Sequence, residues 1–580
     1  MKIFNVCMSL VFMALIGWQV YLHIPYQLCY LEHTNLFVGE WDWFVPFLKQ
    51  FGGLGKWLGM WGIQFFNETV TGVIAFVLPV ILSFVAMVGL MQYLGKQISV
   101  WIPIATGIPV CLLLSLFDYN FYWSGACATA LALLALWLLT LCRMSFFRHL
   151  LFLLGIPLIT WTLGAISCIY ILAGVILFAN KKKWMTSIAL PLGIYAILVT
   201  LFHLTGLVPN LKSILSPAGY YESMSEMPLH HVCTWGTILL VLVLARLVAN
   251  VSLKQKMVSW TICCLGWLIP STLLVQTSEN FSHSSNQDLW RLNHYAYMEK
   301  WDAILEFLSD KPMNNYLFMN YANMALAHQG ELANRAFYYH PKGINSLLAT
   351  ANATGTVRLM ASDVHYSVGC IAEAQQHAFE AQVTFPKSIG IQTMKRLVKT
   401  NLIFGHYEVA EKYLSLIAQT TFHKDWATKY RQFINNDKAI EADAELGEQR
   451  RNLSKRNRFA MFRGWTPELE DILESNPDNQ KALEYLGLSY LMNKDLKGFQ
   501  AFMEKYYGAR KGKTLPLSFQ QAVMALDNQD MINAWGISAS VKDQYRQFMR
   551  QYTQNRQNPN LKNVMSRSFG HTVWYYLIFV

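Results

Sequence analysis

Residues 150–180 read LLFLLGIPLITWTLGAISCIYILAGVILFAN. The stretch is long for one membrane helix and short for two, because a span needs about 20 mostly apolar residues. Pro157 and Gly164 stand near its middle, and both residue types interrupt helices. The pattern predicts a helical hairpin of two short or re-entrant segments, whose irregular backbone must be covered by protein. Whether this stretch crosses once or turns back decides the side on which everything after it lies.

Apolar runs of span length also occur at 3–24, 69–94, 98–117, 121–142, 185–206, 231–250 and 258–276. Lysine and arginine are retained on the cytoplasmic side of short loops. Take the N-terminus as cytoplasmic and 150–180 as a hairpin. Lys2, Lys96, Arg143, Arg148, Lys181, Lys182, Lys183, Arg246, Lys254 and Lys256 then face the cytoplasm, and only Lys49, Lys56 and Lys212 lie outside. All seven acids before residue 277 fall on the outer side: Glu32, Glu40, Asp42, Glu68, Asp118, Glu222 and Glu226. A single span would expose the Lys181 to Lys183 run to the outside. The expectation is an all-α protein. Residues 1–276 form a polytopic transmembrane helical bundle of about nine segments, one pair short or re-entrant, in a bacterial inner membrane. The rest of the chain is periplasmic. The first helix has one basic residue before it and no small-x-small cleavage site, so it reads as an uncleaved anchor.

Composition separates two halves. Residues 1–276 hold 13 Lys/Arg and 7 Asp/Glu, whereas 277–580 hold 34 and 29. The second half therefore has the charge density of a soluble protein. The net charge of +11 divides as +6 and +5. Positive-inside retention accounts for the first share, so the lipid bilayer is the expected partner and nucleic acid is not. Nine of the ten cysteines lie before residue 277, and only Cys370 follows it. No CxxC spacing or Cys/His ligand set stands out, so neither a disulfide framework nor a zinc site is expected.

The first outer loop, residues 25–68, is rich in aromatics, among them Trp41, Trp43, Phe44, Trp57, Trp61 and Phe65. Aromatics of this kind settle at the headgroup level. The piece from Leu54 to Phe66 reads as a helix lying in the interface, with Gly52 and Gly53 as its hinge.

After residue 276 the pattern changes to short amphipathic helices separated by turns. Several stretches follow the tetratricopeptide plan, which needs small residues where two helices cross and a Pro or Gly at the turn. Ala374, Ala378, Ala381 and Pro386 have the spacing of a second helix and its terminating proline. Pro477, Leu483, Leu486, Gly487 and Tyr490 have that of a first helix in register with a preceding repeat. Residues 402–416, LIFGHYEVAEKYLSL, supply a Gly-x-Tyr-x-x-Ala turn. The expected division is a first repeat block over 277–437, a charged linker helix over 438–464 and a second block over 465–580. In the linker Arg450, Arg451, Lys455, Arg456, Arg458 and Arg463 read as a solvated face that could alternatively bind lipid phosphate. The uncharged ending from Val573 to Val580 is expected to cap the chain's own core, with an extended strand or docking on the membrane domain as alternatives.

No phosphate-binding glycine loop, nucleophile elbow or HExxH motif is present. The candidate for chemistry is Glu40-Trp41-Asp42. Two carboxylates spaced i, i+2 can share a divalent metal with a diphosphate, or one can act as general base toward a hydroxyl. Asp118, Glu222, Glu226, His230 and His231 lie on later outer loops and could converge there.

That plan of topology and acidic pair resembles the polytopic glycosyltransferases that use lipid-linked sugars. The resemblance implies catalytic roles for Glu40, Asp42 and Asp118, a divalent metal and a polyprenyl-linked sugar donor. A second resemblance covers nearly the whole chain. LEHTNLF (31–37), FGGLGKWLGMWGIQFF (51–66), NYLFMNYANMALAHQGELANRAF (315–337), ISASVKDQYRQFM (537–549) and FGHTVWYYLIFV (569–580) look like an uncharacterised family of polytopic proteins from Bacteroides-type bacteria. Glu32, Leu36, Phe37, Gly52, Gly53, Leu54, Gln64, Phe65 and Phe66 match its first-loop pattern, and the pair Glu40 and Asp42 lies outside it. This resemblance implies a membrane domain plus a repeat domain and no particular activity.

Two function classes follow. One is a non-enzymatic envelope scaffold whose repeat groove takes a periplasmic protein or peptide. The other is the glycosyltransferase. Coupled transport is disfavoured, because no acid or Lys sits in mid-span.

Overall fold

The computed structural model describes the chain apart from residues 96–99, 180–183, 209, 222–228, 249–254, 283–284, 350–353, 386–388, 456–463 and 509–513, and apart from the side chains of 229–231, 282 and 285. The described residues are helical. Two isolated bridges, Phe121 with Tyr221 and Thr514 with Gly536, are the extended pairings among them. The chain divides into two units, Met1–Asp288 with Gln419–Phe422, and Leu289–Ala418 with His423–Val580.

The first unit comprises α1 (Lys2–His23), α2 (Pro25–His33), α3 (Trp41–Leu48), α4 (Gly53–Ile63), α5 (Thr69–Leu94), α6 (Gly107–Phe117), α7 (Trp123–Leu141), α8 (Ser145–Leu163), α9 (Ser167–Phe178), α10 (Leu190–Leu204), α11 (Lys212–Leu215), α12 (Leu229–Val248) and α13 (Lys256–Ser282). Among the described residues, six helices are long and apolar enough to cross a membrane: Lys2–His23, Thr69–Leu94, Trp123–Leu141, Ser145–Leu163, Met185–Leu204 and Lys256–Phe281. Three shorter apolar helices lie at Ile102–Phe117, Ser167–Phe178 and Val232–Val248. Six of the apolar helices thus reach span length, and the other three fall short of it.

The stretch 150–180 breaks as its sequence suggests. Gly164, at φ +85°, separates α8 from α9. Pro157 sits inside α8 without ending it. The two helices pack through Phe152, whose ring meets those of Tyr170 and Phe178. Helix α8 begins at Ser145, five residues before the apolar stretch.

Some of the buried polar groups of this unit tie its helices together. Asn5 on α1 accepts from Cys263 Sγ and from Trp267 Nε1 on α13, each at 3.1 Å. Ser115 on α6 bonds Thr234 on α12 at 3.1 Å. Gln27 donates to Leu116 O and accepts from Gln287. In an apolar medium such bonds satisfy groups that have no water to turn to.

Residues 25–68 are mostly helix, and α4 packs into the unit. Gly53, Gly55, Gly59 and Gly62 of α4 are buried. A Cβ at Gly59 would lie 2.6 Å from Ser124 Cβ on α7, and one at Gly62 would overlap the ring of Trp123. Small residues at this spacing let helix backbones approach closely. Gly52, at φ +68°, turns the chain into α4.

The second unit is entered through α14 (Ser285–Tyr297). It continues with α15 (Trp301–Leu308), α16 (Tyr316–Gln329), α17 (Leu332–Arg335), α18 (Gly355–Val368), α19 (Ile371–Thr384), α20 (Ile391–Phe404), α21 (Tyr407–Ala418), α22 (Lys424–Arg431), α23 (Asp437–Ala442) and α24 (Ala444–Arg451). It ends with α25 (Trp465–Ser475), α26 (Gln480–Met492), α27 (Leu496–Tyr507), α28 (Leu517–Ala525), α29 (Gln529–Ala534), α30 (Ala539–Asn555), α31 (Leu561–Phe569) and α32 (Val573–Phe579). Sequence neighbours pack as pairs, α15 with α16, α18 with α19, α20 with α21 and α25 with α26. Small residues stand where helices of this unit cross. Ala374, Ala378 and Ala381 of α19 are fully buried. A Cβ at Gly487 would meet Phe502 and Phe519. Gly405, at φ +78°, turns α20 into α21. Pro386 lies outside the described residues.

Neighbour pairing is not the whole of it. Helix α17 packs on α26 and α28, and α18 packs on α26. One apolar core joins residues from Leu289 to Cys370 with residues from Leu469 to Tyr576. The segment expected as one charged linker helix is, where described, two short helices. They break at Asp443, whose carboxylate caps α24. The chain ending is a helix rather than a strand. Val573, Trp574 and Tyr576 are buried. Trp574 Nε1 donates to Gln521 O, and Tyr576 Oη donates to Met492 O at 2.7 Å.

Candidate functional site

The acidic pair Glu40 and Asp42 sits at the start of α3. Glu40 is its N-cap residue, without a side-chain cap bond, and Asp42 lies in its first turn. Both are exposed, where the partial positive charge of a helix N-terminus favours carboxylates. Asp118 follows α6. Its Oδ2 accepts from Tyr221 Oη at 2.9 Å, and its Oδ1 accepts from Asn120 N and Nδ2. Burial, with Asp118 adding to it, pushes the Tyr221 phenol up to about 12. Tyr122 N donates to Tyr220 O beside this pair, so Asp118 ties the α6–α7 turn to the segment ending at Tyr221. Glu222 and Glu226 lie outside the described residues, as do the side chains of His230 and His231. The group of possible metal ligands that the described residues form includes none of Glu40, Asp42 and Asp118.

Another acid of this unit is buried. Glu32 and His33, at the end of α2, are 4 % and 5 % exposed, with 4.0 Å between Oε2 and Nε2. Burial, and then the charge of Glu32, push the Cys29 thiol up to about 11.

Several charges of the second unit are held in internal pairs around α20. Arg396 donates to Asp363 at 2.8 Å and stacks 3.7 Å from the Tyr366 ring centre. Lys399 donates to Glu445 at 2.6 Å, and Tyr366 Oη donates to the same oxygen at 2.8 Å. Lys395 donates to Tyr297 Oη at 2.7 Å and lies over the Trp426 ring. Burial pushes Asp363 up in spite of Arg396 and Lys399. The carboxylate is bound by the close pair, and taking it out of water works against the charged form. Glu445 behaves oppositely. Burial pushes it up, but Lys399, Tyr366 and Arg396 outweigh that and hold it low. Arg450 is bound as well. It donates to the carbonyls of Leu402 and Ile403 and to Asp437, and so caps the C-terminal end of α20. It is thereby committed to a helix end rather than offered to a lipid phosphate.

The group that the sequence reading missed is His365, Cys370 and Glu468. Their donor atoms all lie within 4.8 Å of one another. His365 is on the last turn of α18, Cys370 is the N-cap residue of α19, and Glu468 is in the first turn of α25. His365 and Cys370 are buried, and His365 Nδ1 has no hydrogen-bond partner. Edge-on contact with Trp465 and a tilted contact with His377 fix the imidazole. Burial, and then the charges of Glu373 and Asp471, push Glu468 up to about 8. A His-x4-Cys spacing is the only local signal, and the third member stands almost a hundred residues further on.

The molecule is an all-helical protein in which helices of membrane-spanning length share a chain with a helical unit of ordinary charge density. The chain belongs to the family of unknown function DUF6057, whose model matches residues 1–580. No curated protein and no solved structure matches it.

Proposed function

We propose that this protein is a membrane-anchored scaffold. About nine apolar segments, including the α8–α9 hairpin, fix it in an inner membrane with a cytoplasmic N-terminus. The second unit is a tetratricopeptide-like domain in the periplasm that takes a protein or peptide. The observation that carries this reading is the fate of the charges. In the second unit Arg396, Lys399 and Arg450 are bound to internal acids and a helix end. In the first unit the acids singled out for catalysis are an exposed helix start and a loop tie. Ionisable groups committed to structure suit a binding platform better than a reaction centre.

The test is a deletion strain complemented with the full chain, with Asp42→Asn, or with the chain lacking the second unit. The scaffold reading expects Asp42→Asn to complement fully and the truncated chain to fail. Loss of a surface glycan on deletion, not restored by Asp42→Asn, would instead establish the glycosyltransferase. A reporter fused after Ala179 should read as cytoplasmic, and one within α30 as periplasmic.

A further inference from the structure

We propose that His365, Cys370 and Glu468 form a binding site for a divalent, thiophilic metal ion, with zinc the best chemical match. An imidazole nitrogen, a thiol sulfur and a carboxylate oxygen make the mixed donor set that zinc accepts in tetrahedral sites. Their mutual separation of at most 4.8 Å is somewhat wider than the edge of a zinc tetrahedron, so closure needs only side-chain adjustment. Three protein donors leave a fourth position for water.

The backbone around the donors is already fixed. The α18–α19 turn passes through Gly369 at φ +97°. His365 O accepts from the amides of both Gly369 and Cys370, at 3.1 and 2.9 Å. Asn479 donates to Val368 O and to Asn452 Oδ1, and Asn476 donates to the same Oδ1. Asn452 packs on Gly369 so closely that a Cβ there would lie 2.6 Å from its Nδ2. These bonds fix the turn that carries two of the three donors.

Two features set this cluster apart from ordinary packing. A buried imidazole nitrogen without a partner is a cost that folded proteins avoid, and His365 Nδ1 is such an atom. A thiol sulfur of Cys370 and a carboxylate oxygen of Glu468 also lie within 4.8 Å of a ring nitrogen of His365. A bound cation would satisfy all three groups at once. It would tie α18 and α19 to α25, two stretches far apart in the chain.

The experiment is metal analysis of the full chain purified in detergent without chelators, followed by stripping and titration with cobalt(II) alone. The expected result is one equivalent of zinc per chain and a sulfur-to-cobalt charge-transfer band. Cys370→Ser should abolish that band. His365→Gln should weaken cobalt binding at least about tenfold, the effect that even loss of an outer partner has on metal sites. Glu468→Gln keeps shape and burial and should also lower zinc content, so a folding defect in Cys370→Ser does not decide the outcome. Retention of full zinc content by Glu468→Gln and His365→Gln, or a wild-type chain that takes up neither metal, would overturn the proposal.

Discussion

Glu445 Oε1 accepts two hydrogen bonds in the second unit, from Lys399 Nζ at 2.6 Å and from Tyr366 Oη at 2.8 Å. The carboxylate thereby links α24 to α20 and α18. Its folded pKa lies below the ordinary value of 4.5. A depressed carboxylate adds stability above its unfolded value and loses it as pH falls through the folded one. This contribution of Glu445 should therefore fade below about pH 4.5. Thermal unfolding in detergent should show a smaller drop between pH 7 and pH 4 for Glu445→Gln than for the natural chain. Equal drops would show that the pair contributes nothing.

Gly59 tests the close approach of α4 and α7. Alanine in a helix interior is ordinarily favoured over glycine by about 0.5–1 kcal/mol. Here the added carbon would lie 2.6 Å from Ser124 Cβ and 3.0 Å from its Cα. Overpacking of this kind costs about 1–3 kcal/mol, so Gly59→Ala should lower the melting temperature and Gly59→Leu should lower it further. Ser124→Gly in the same chain should recover part of the loss.

Trp574 tests the C-terminal helix. Its indole is 2 % exposed and bonded to Gln521 O. Trp574→Ala should cost about 3–5 kcal/mol. Tyr576→Phe, which removes only the hydroxyl bonded to Met492 O, should cost about 1 kcal/mol. Protease resistance of the second unit in the full chain would rank the two. A Trp574→Ala chain as resistant as the natural one would mean that α32 is dispensable.

Arg450→Gln should loosen one helix end without touching the core. The guanidinium satisfies the carbonyls of Leu402 and Ile403, groups that a helix leaves open at its C-terminus. Hydrogen exchange should quicken in the last turn of α20 and in α24, and stay unchanged in α26. Binding of the natural chain and of Arg450→Gln to anionic vesicles should not differ.

The apolar helices were legible because a span announces itself by length and composition alone. The break at Gly164 was legible too, since a positive φ suits glycine. The tryptophans of α4 suggest a helix at the interface. Its other face, Gly55, Gly59 and Gly62, carries the packing, and only the partner helix reveals why small residues are needed there. The ending from Val573 could be read as a strand because seven apolar residues have no period of their own. The cluster of His365, Cys370 and Glu468 was invisible for a different reason. Two members are five residues apart, and the third arrives by tertiary folding.

The shared core of the second unit also has a kinetic meaning. Ala333 N donates to Glu484 across 151 residues, and Leu517 N donates to Asn334 across 183. Pairing across so long a loop slows folding, because the entropy of closing it is spent before its contacts form. Helices α20 to α24 lie inside that loop. The unit should therefore refold with a slow phase that local helix pairs alone would not produce. Changes near Glu484 should act on the folding rate more than on the rate of unfolding.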